Sequence, residues 1–249
     1  MQEKEPHFIY GTRAIIEAIE AGKEIDKLLI QKDVRNELTA ELLQLAKNHN
    51  VPLQKVPIEK LQKVTRKNHQ GAIAYLSSVV YTSLDHIISS AYEKGQSPCL
   101  IILDRITDVR NVGAIARSAE CAGVHGVIVP SRGSAQLGPD AMKTSAGALN
   151  YLPFCRVDNL KITIKEMQAN GIKVLACSEE GSITAFNADL TVPVALMMGS
   201  EEDGISPEYL KLADEHISLP IKGQISSLNV AVATGILAYE VVRQRQAEN

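Results

Sequence analysis

The sequence predicts an α/β protein in two units. A small α/β domain occupies residues 1–80, a linker residues 81–97, and a larger α/β domain with a parallel sheet residues 98–249. Three observations carry this reading. The 249 residues suffice for one large domain or two ordinary ones, with ample buried core. The first 80 residues alternate helical and strand patterns. From residue 98 onward, fully apolar runs recur between helices, which implies a parallel sheet covered on both faces.

In the first part, "GTRAIIEAIEAG" has apolar residues at helical spacing and ends at Gly22, a suitable C-cap. "DKLLIQ" reads as a strand, "NELTAELLQLAKNHN" as an amphipathic helix, "VPLQKVP" as a strand and "GAIAYLSSVVY" as a final strand. "TSLDHIISSAYEKGQSP" offers Ser83 as an N-cap and ends in a Gly/Gln/Ser/Pro stretch, which places the linker here and the boundary near residue 97. The second part supplies the strands "CLIILD", "GVIVP", "KVLACS", "VPVALMMG" and "HISLP". Ligands of such sheets sit beyond the carboxyl ends of the strands.

The totals exclude several classes. No apolar run approaches the roughly 20 residues that span a bilayer, and the start "MQEKEPHFIYG" is charged and lacks the apolar stretch of a signal peptide. A cytoplasmic protein away from membranes is expected. The cysteines at 99, 121, 155 and 177 form no C-x-x-C pair and no zinc spacing. They read as buried free thiols, Cys121 beside motif residues being the one to follow, and no metal is expected. Net charge is −3, yet residues 55–71, "KVPIEKLQKVTRKNHQG", set Lys55, Lys60, Lys63, Arg66 and Lys67 against Glu59 alone. Such a cluster is either a phosphate-contacting patch or the solvated face of a short helix.

No G-x-G-x-x-G follows a strand, and neither a P-loop nor a G-x-S-x-G elbow is present, so dinucleotide, P-loop and serine-hydrolase readings lose their support. Three polar loops remain. In "LDRITDVRNVGAIARSAECAGV" (103–124), Asn111 is a possible helix cap, Gly113 heads a small-residue face, and Arg117 lies one and a half turns into the helix. In "ALMMGSEEDGIS" (195–206), a strand ends at Gly199 and Glu201 follows in a loop closed by Gly204. In "ISLPIKGQISSLNVAVATGILAYE", Ser226, Ser227 and Asn229 suit a loop turning into a helix N-terminus, since such side chains compete with a helix interior.

Together, in this order and spacing, the loops resemble the signature motifs of the SpoU (TrmH-like) branch of the SPOUT RNA methyltransferases. N-x-G-x-x-x-R is met by Asn111, Gly113 and Arg117, and G-x-E-x-x-G by Gly199, Glu201 and Gly204. P-x-x-G-x-x-S-S-L-N-V-x-V-A is met from Pro220 to Ala233. The resemblance covers essentially the whole chain. The first part is similar to the small RNA-binding domain of the 23S rRNA guanosine-2′-O-methyltransferases. "IYGTRAIIEAI", "VHGVIVPSRGSAQL" and "ATGILAYEVVRQR" favour that subgroup over the tRNA subgroup. Departures are small: Glu202-Asp203 in the second motif and "VAVATG" in the third.

The resemblance implies a SPOUT domain with a deep trefoil knot, and methyl transfer from S-adenosylmethionine to a ribose 2′-hydroxyl, most closely of a guanosine in 23S rRNA. It assigns cofactor contacts to Gly199, Leu219 and Leu228, and the active-site turn to Ser227 and Asn229. Arg117 is the catalytic residue by position, with Asn111 and Glu201 orienting it or the substrate loop. Because a guanidinium keeps its proton at neutral pH, positioning and electrostatic stabilisation suit Arg117 better than a base role. Glu201 as a direct base is weaker, since a solvated carboxylate is a poor base for a sugar hydroxyl. The resemblance also implies a homodimer, for which "VAVATGILAYEVVRQRQ" serves as interface helix, core helix or both. The rivals are a tRNA ribose 2′-O-methyltransferase and a non-catalytic RNA-binding protein on the same scaffold.

Overall fold

The computed structural model describes residues 8–247. Most of the charged start read as lacking a leader, residues 1–7, therefore lies outside the described residues. The chain divides into two compact units, one running to Val80 with Gln136–Pro139 added, the other formed by Tyr81–Ala135 and the chain from Asp140 onward.

The smaller unit contains β1 (Phe8–Tyr10), α1 (Thr12–Glu20), β2 (Ile25–Gln31), α2 (Glu37–Asn48), β3 (Leu53–Val56), α3 (Ile58–Val64) and β4 (Ala72–Leu76). Its sheet has the order β1-β4-β2-β3, with β4 antiparallel to both neighbours and β2 parallel to β3. Side chains two apart on a strand share a face, and both faces here are apolar. Leu28 and Ile30 of β2 and Ala72 and Ala74 of β4 pack with Ile15, Ile16 and Ile19 of α1 and Leu42 of α2. Leu29, Val56 and Ile73 pack on the opposite face with Leu61 of α3. The start of α2 is fixed by Asn36, whose side chain accepts from the Thr39 N–H at 2.7 Å.

The larger unit contains α4 (Leu84–Glu93), β5 (Cys99–Leu103), α5 (Val109–Cys121), β6 (Gly126–Pro130), α6 (Pro139–Thr144, whose first residue belongs to the smaller unit), β7 (Phe154–Val157) and α7 (Leu160–Ala169). There follow β8 (Lys173–Cys177), β9 (Ile183–Thr184), β10 (Val194–Met198), α8 (Pro207–Leu210), β11 (Glu215–Ser218) and α9 (Val230–Gln246). The sheet order is β7-β6-β5-β10-β8-β11-β9, and every adjacent pair is parallel. In β5, Leu100, Ile101 and Ile102 are fully buried, as a central strand covered on both faces requires. Leu100 and Ile102 pack with Ile87 and Ile88 of α4 and Ile164 and Met167 of α7.

The segment 81–97, expected as a linker, holds α4. Ser83 caps it, accepting from the His86 N–H at 3.3 Å, and its apolar face belongs to the larger unit's core. Two edge strands, β7 and β9, escape the apolar pattern because an edge position tolerates polar residues such as Arg156 and Thr184. The run "GAIAYLSSVVY" is a strand only to Leu76, and Tyr81 instead forms a parallel bridge to Phe154.

The end of α9 is tied down by polar groups. The Arg245 guanidinium donates to the carbonyls of Leu190 (3.2 Å), Val192 (2.8 Å) and Pro98 (3.0 Å), and burial lowers its pKa from the usual value. Gln244 Oε1 accepts from the Leu190 N–H at 2.9 Å.

Ile102→Ala will cost about 2–5 kcal/mol of the larger unit's stability in urea denaturation, and Ile102→Val only about 0.5–1.5 kcal/mol, since each removes packed volume. Equal, small losses would contradict a close-packed centre at β5.

Candidate active site

The carboxyl ends of β5, β10 and β11 lead into the three polar loops. The one after β11 ends at Asn229, the N-cap of α9, whose Oδ1 accepts from the N–H groups of Ala231 (3.0 Å) and Val232 (3.3 Å). With the oxygen so engaged, the amide nitrogen points outward. It donates to Asn111 Oδ1 at 3.0 Å and to Glu201 Oε1 at 2.8 Å. One carboxamide thus joins groups 118 and 28 residues away in sequence.

Asn111 is not the cap of α5. That place belongs to Asp108, whose carboxylate accepts from the Arg110 N–H at 2.8 Å and pairs with the Arg110 guanidinium at 3.0 Å. These bonds to Arg110 hold the Asp108 carboxyl below its usual pKa. Asn111 sits in the first turn, with its side chain turned to Asn229.

The loop after β10 is held from two sides. Gly199 approaches Gly204 so closely that a Cβ would lie 2.1 Å from the Gly204 carbonyl carbon. Ser200 and Gly204 exchange both backbone hydrogen bonds at 3.0 Å, and Gly204 has φ +66°. The two glycines of the motif are therefore demanded by the loop itself. From β5, the buried Asp104 carboxylate accepts from the Ser206 N–H (2.6 Å) and hydroxyl (2.7 Å). Arg105, at φ +59°, donates to Asp203 Oδ2 (2.9 Å) and to the Gly204 carbonyl (3.0 Å). A non-glycine residue in this region costs of order 1–3 kcal/mol and persists where its surroundings hold it.

Beside these loops lies a cavity of about 650 Å³, a size typical of cofactor sites. Met198 and Gly199, Leu219 and Ile221, and Ser227–Val230 line it, as do Cys177–Glu180 beyond β8. Gly199, Glu201, Leu219, Ser227, Leu228 and Asn229 all reach this cavity. Asn111 touches it through Asn229, while Arg117 does not line it. Arg117 is exposed on α5, just over two turns into the helix, and no hydrogen bond or ion pair reaches it among the described residues. Glu179, Glu180, Glu201, Glu202 and Asp203 give the cavity an acidic lining that favours a cationic group.

Motif reasoning missed Asp104, Arg105 and the wall Cys177–Glu180. The signal for the wall was the carboxyl end of the apolar run "KVLACS", where parallel sheets place ligands. Cys177 borders the cavity, and burial drives its thiol pKa up, which disfavours the thiolate. Burial likewise pushes the thiols of Cys99 and Cys155 up to about 11. Cys121 departs from the expectation of buried thiols: it is exposed at the end of α5. Among the described residues no group of three or more His, Cys, Asp or Glu side chains could hold a metal ion, and no helix is long and apolar enough to cross a membrane.

Asn229→Ala will cost about 0.5–2 kcal/mol through the lost cap. Asn229→Asp, which keeps the cap oxygen but not the donors, will preserve amide protection at Ala231 and Val232 while accelerating exchange at 200–204. Unchanged exchange there would show that the amide does not hold the loop. Maleimide at neutral pH will label Cys121 in the folded protein and reach Cys99 and Cys155 only after unfolding, as intact-mass measurement will show. Early labelling of Cys99 would contradict its burial.

Comparison with known proteins places these observations. Residues 98–239 match the model of the SpoU rRNA Methylase family, and residues 8–82 that of RNA 2′-O ribose methyltransferase substrate binding. The chain is 34% identical over 238 residues to a putative TrmH family tRNA/rRNA methyltransferase, YacO, of Bacillus subtilis, covering 96% of both chains. Its fold is similar to that of the SpoU methyltransferase AviRb from Streptomyces viridochromogenes, crystallised in complex with the cofactor AdoMet. The TM-score is 0.62 and the identity 28%, over 96% of this chain and 90% of that one. An AdoMet-bound rRNA methyltransferase from Sinorhizobium meliloti matches with TM-score 0.61 and 25% identity, over 95% of this chain and 87% of that one. With two motif loops lining one cavity, the third tied to them through Asn111, and matches to these relatives along nearly its whole length, the chain belongs to the SpoU (TrmH-type) family of RNA methyltransferases.

Proposed function

We propose that the protein transfers a methyl group from S-adenosylmethionine to a ribose 2′-hydroxyl of RNA, and that its target is a guanosine of 23S rRNA. The observation that carries this reading is the Asn229 carboxamide, which draws Asn111 and Glu201 to the rim of the cavity.

The cavity's volume, its backbone-rich walls at Gly199, Leu219 and Leu228, and its carboxylates fit a medium-sized ligand with a cationic centre. When bound, S-adenosylmethionine supplies the electrophilic methyl group on its sulfonium. The protein's own contribution is alignment and electrostatics. The loops at Gly199, Leu219 and Leu228 hold the cofactor. Ser227 and Asn229 shape the turn facing the substrate, and Glu201, fixed by Asn229, orients the incoming ribose loop. The exposed guanidinium of Arg117 holds a phosphate flanking the target and stabilises negative charge developing on the ribose oxygen. The hydroxyl proton passes to solvent or to a phosphate oxygen.

Arg117 stands outside its own chain's cavity, which suits a site completed across a homodimer. In support, α9 exposes Val232 (52%), Ile236 (39%) and Tyr239 (51%), an i, i+4, i+7 stripe that a second copy would cover. The knot of the SPOUT domain goes with this reading. It is supported by the gathering of the chain at 199–204 and 219–229 around one cavity. An rRNA target is supported by the match to a solved rRNA methyltransferase along 95% of this chain. Such a target places the enzyme in the cytoplasm.

The test is transfer of labelled methyl from S-adenosylmethionine to unmodified large-subunit rRNA and, in parallel, to unmodified tRNA, with the modified ribose mapped. Methyl on one rRNA guanosine, reduced about 10²–10³-fold in Arg117→Ala, is the expected result. Label on tRNA would move the substrate. No transfer to either, together with no cofactor binding, would leave an RNA-binding protein on a methyltransferase scaffold.

A further inference from the structure

The smaller unit's sheet has one face closed by α1 and α2, and another on which α3 covers only part. On that second face, Phe8 of β1 stands opposite Tyr75 of β4, which in turn stands opposite Lys27 of β2. The ring of Phe8 lies 6.1 Å from that of Tyr75 and 6.3 Å from that of Tyr10, tilted against each. All three rings are only partly buried, at the margin of the small cluster around Leu61. Lys67 Nζ lies 5.8 Å from the centre of the Tyr10 ring. Lys60 of α3 and Lys27 are near enough to repel each other; burial and the Lys60 charge together lower the pKa of Lys27.

Core packing explains the rings but not the ammonium groups around them. Among the described residues no carboxylate forms an ion pair with Lys27, Lys60 or Lys67. The free protein thus carries like charges beside partly buried aromatic rings, a cost that a polyanion with flat apolar groups would relieve. Duplex RNA offers its phosphates but keeps its bases stacked inside, whereas a single strand offers both. We propose that this face binds single-stranded RNA, with bases stacking on Phe8, Tyr10 and Tyr75 and phosphates held by Lys27, Lys60 and Lys67. The inference deepens the proposed function and rests on RNA being the substrate. It also decides between the two readings of the basic stretch in favour of phosphate contact. Stacking is tolerant of sequence because every base has a π face, so this surface would supply affinity for an unpaired segment and leave the choice of nucleotide to other contacts.

The experiment uses the full chain and a fluorescent, unstructured RNA of about 10 nucleotides, beside a duplex of the same length, with anisotropy read over a salt series. Tyr10→Ala will weaken single-strand binding about 5- to 150-fold and affect the duplex less. Tyr10→Leu, which keeps apolar bulk without a π face, will lose binding too, while Tyr10→Phe will retain it. Lys67→Gln will reduce the slope of log affinity against log salt by about 0.7. The chain contains no Trp, so Tyr10→Trp provides a single reporter whose emission will be quenched as the single strand saturates. Wild-type binding by a folded Tyr10→Leu protein, or an unchanged tryptophan signal at saturation, would overturn the proposal. S-adenosylmethionine binding, measured by calorimetry on the same samples, will be unchanged in every variant. Its absence from the wild type would sink the methyltransferase reading alone, because the stacking readouts need no cofactor.

Discussion

The candidate active site depends on the two-sided use of the Asn229 side chain. Its oxygen satisfies the first N–H groups of α9, and its nitrogen, turned the other way, donates to both Asn111 and Glu201. A serine or aspartate would cap the helix as well, but neither offers two amide hydrogens. Satisfying the helix terminus fixes which way the amide points, and that in turn fixes where two other loops stand. The bond to a carboxylate is the stronger kind, and losing Asn229 removes the one donor that Asn111 and Glu201 share.

That network would accomplish little on mobile loops. The buried Asp104 carboxylate is tolerable because Ser206 gives it two hydrogen bonds, and those bonds anchor the far end of the loop bearing Glu201. Arg105 completes the restraint from the same strand end. Gly199 permits a backbone approach that a methyl group would block. A parallel sheet brings these strand ends to one edge. The order β5-β10-β8-β11 sets β5 directly beside a strand that comes much later in the chain, so the end of β5 reaches the loop after β10 through Asp104 and Arg105.

How much of this was legible in the sequence can be judged residue by residue. The fully apolar strands declared a parallel sheet, and the polar run 226–229 declared a helix start, because both are local patterns with local causes. Gly199, Leu219, Leu228, Ser227 and Asn229 were found through motif resemblance, and the structure brings all five to one cavity. Local rules misplaced Asn111: "TDVRN" offers two Asx candidates for one cap, and the outcome turns on a partner 118 residues away. Ser83 announced the start of α4, but only the tertiary burial of Ile87 and Ile88 shows that the helix packs with the larger unit rather than serving as a linker. Asp104 and Arg105 looked like the polar end of a strand, since their partners at Asp203, Gly204 and Ser206 are invisible to any local window.

The two units also illustrate different physical means of holding a ligand. The cavity of the larger unit is lined by glycines, apolar side chains and five carboxylates, two of which, Glu201 and Asp203, are held by hydrogen bonds, a lining that selects by shape and by the sign of one charge. Its grip on a single small cation is only weakly sensitive to salt when the charges are few and partly enclosed. The basic, aromatic face of the smaller unit, on the proposal above, would hold RNA by a few phosphates and by stacking, so its affinity would fall with salt while its tolerance of sequence stayed broad. On the proposed function, the five carboxylates around the cavity suit a cation, while Lys27, Lys60 and Lys67 of the smaller unit, which form no ion pair among the described residues, suit a polyanion.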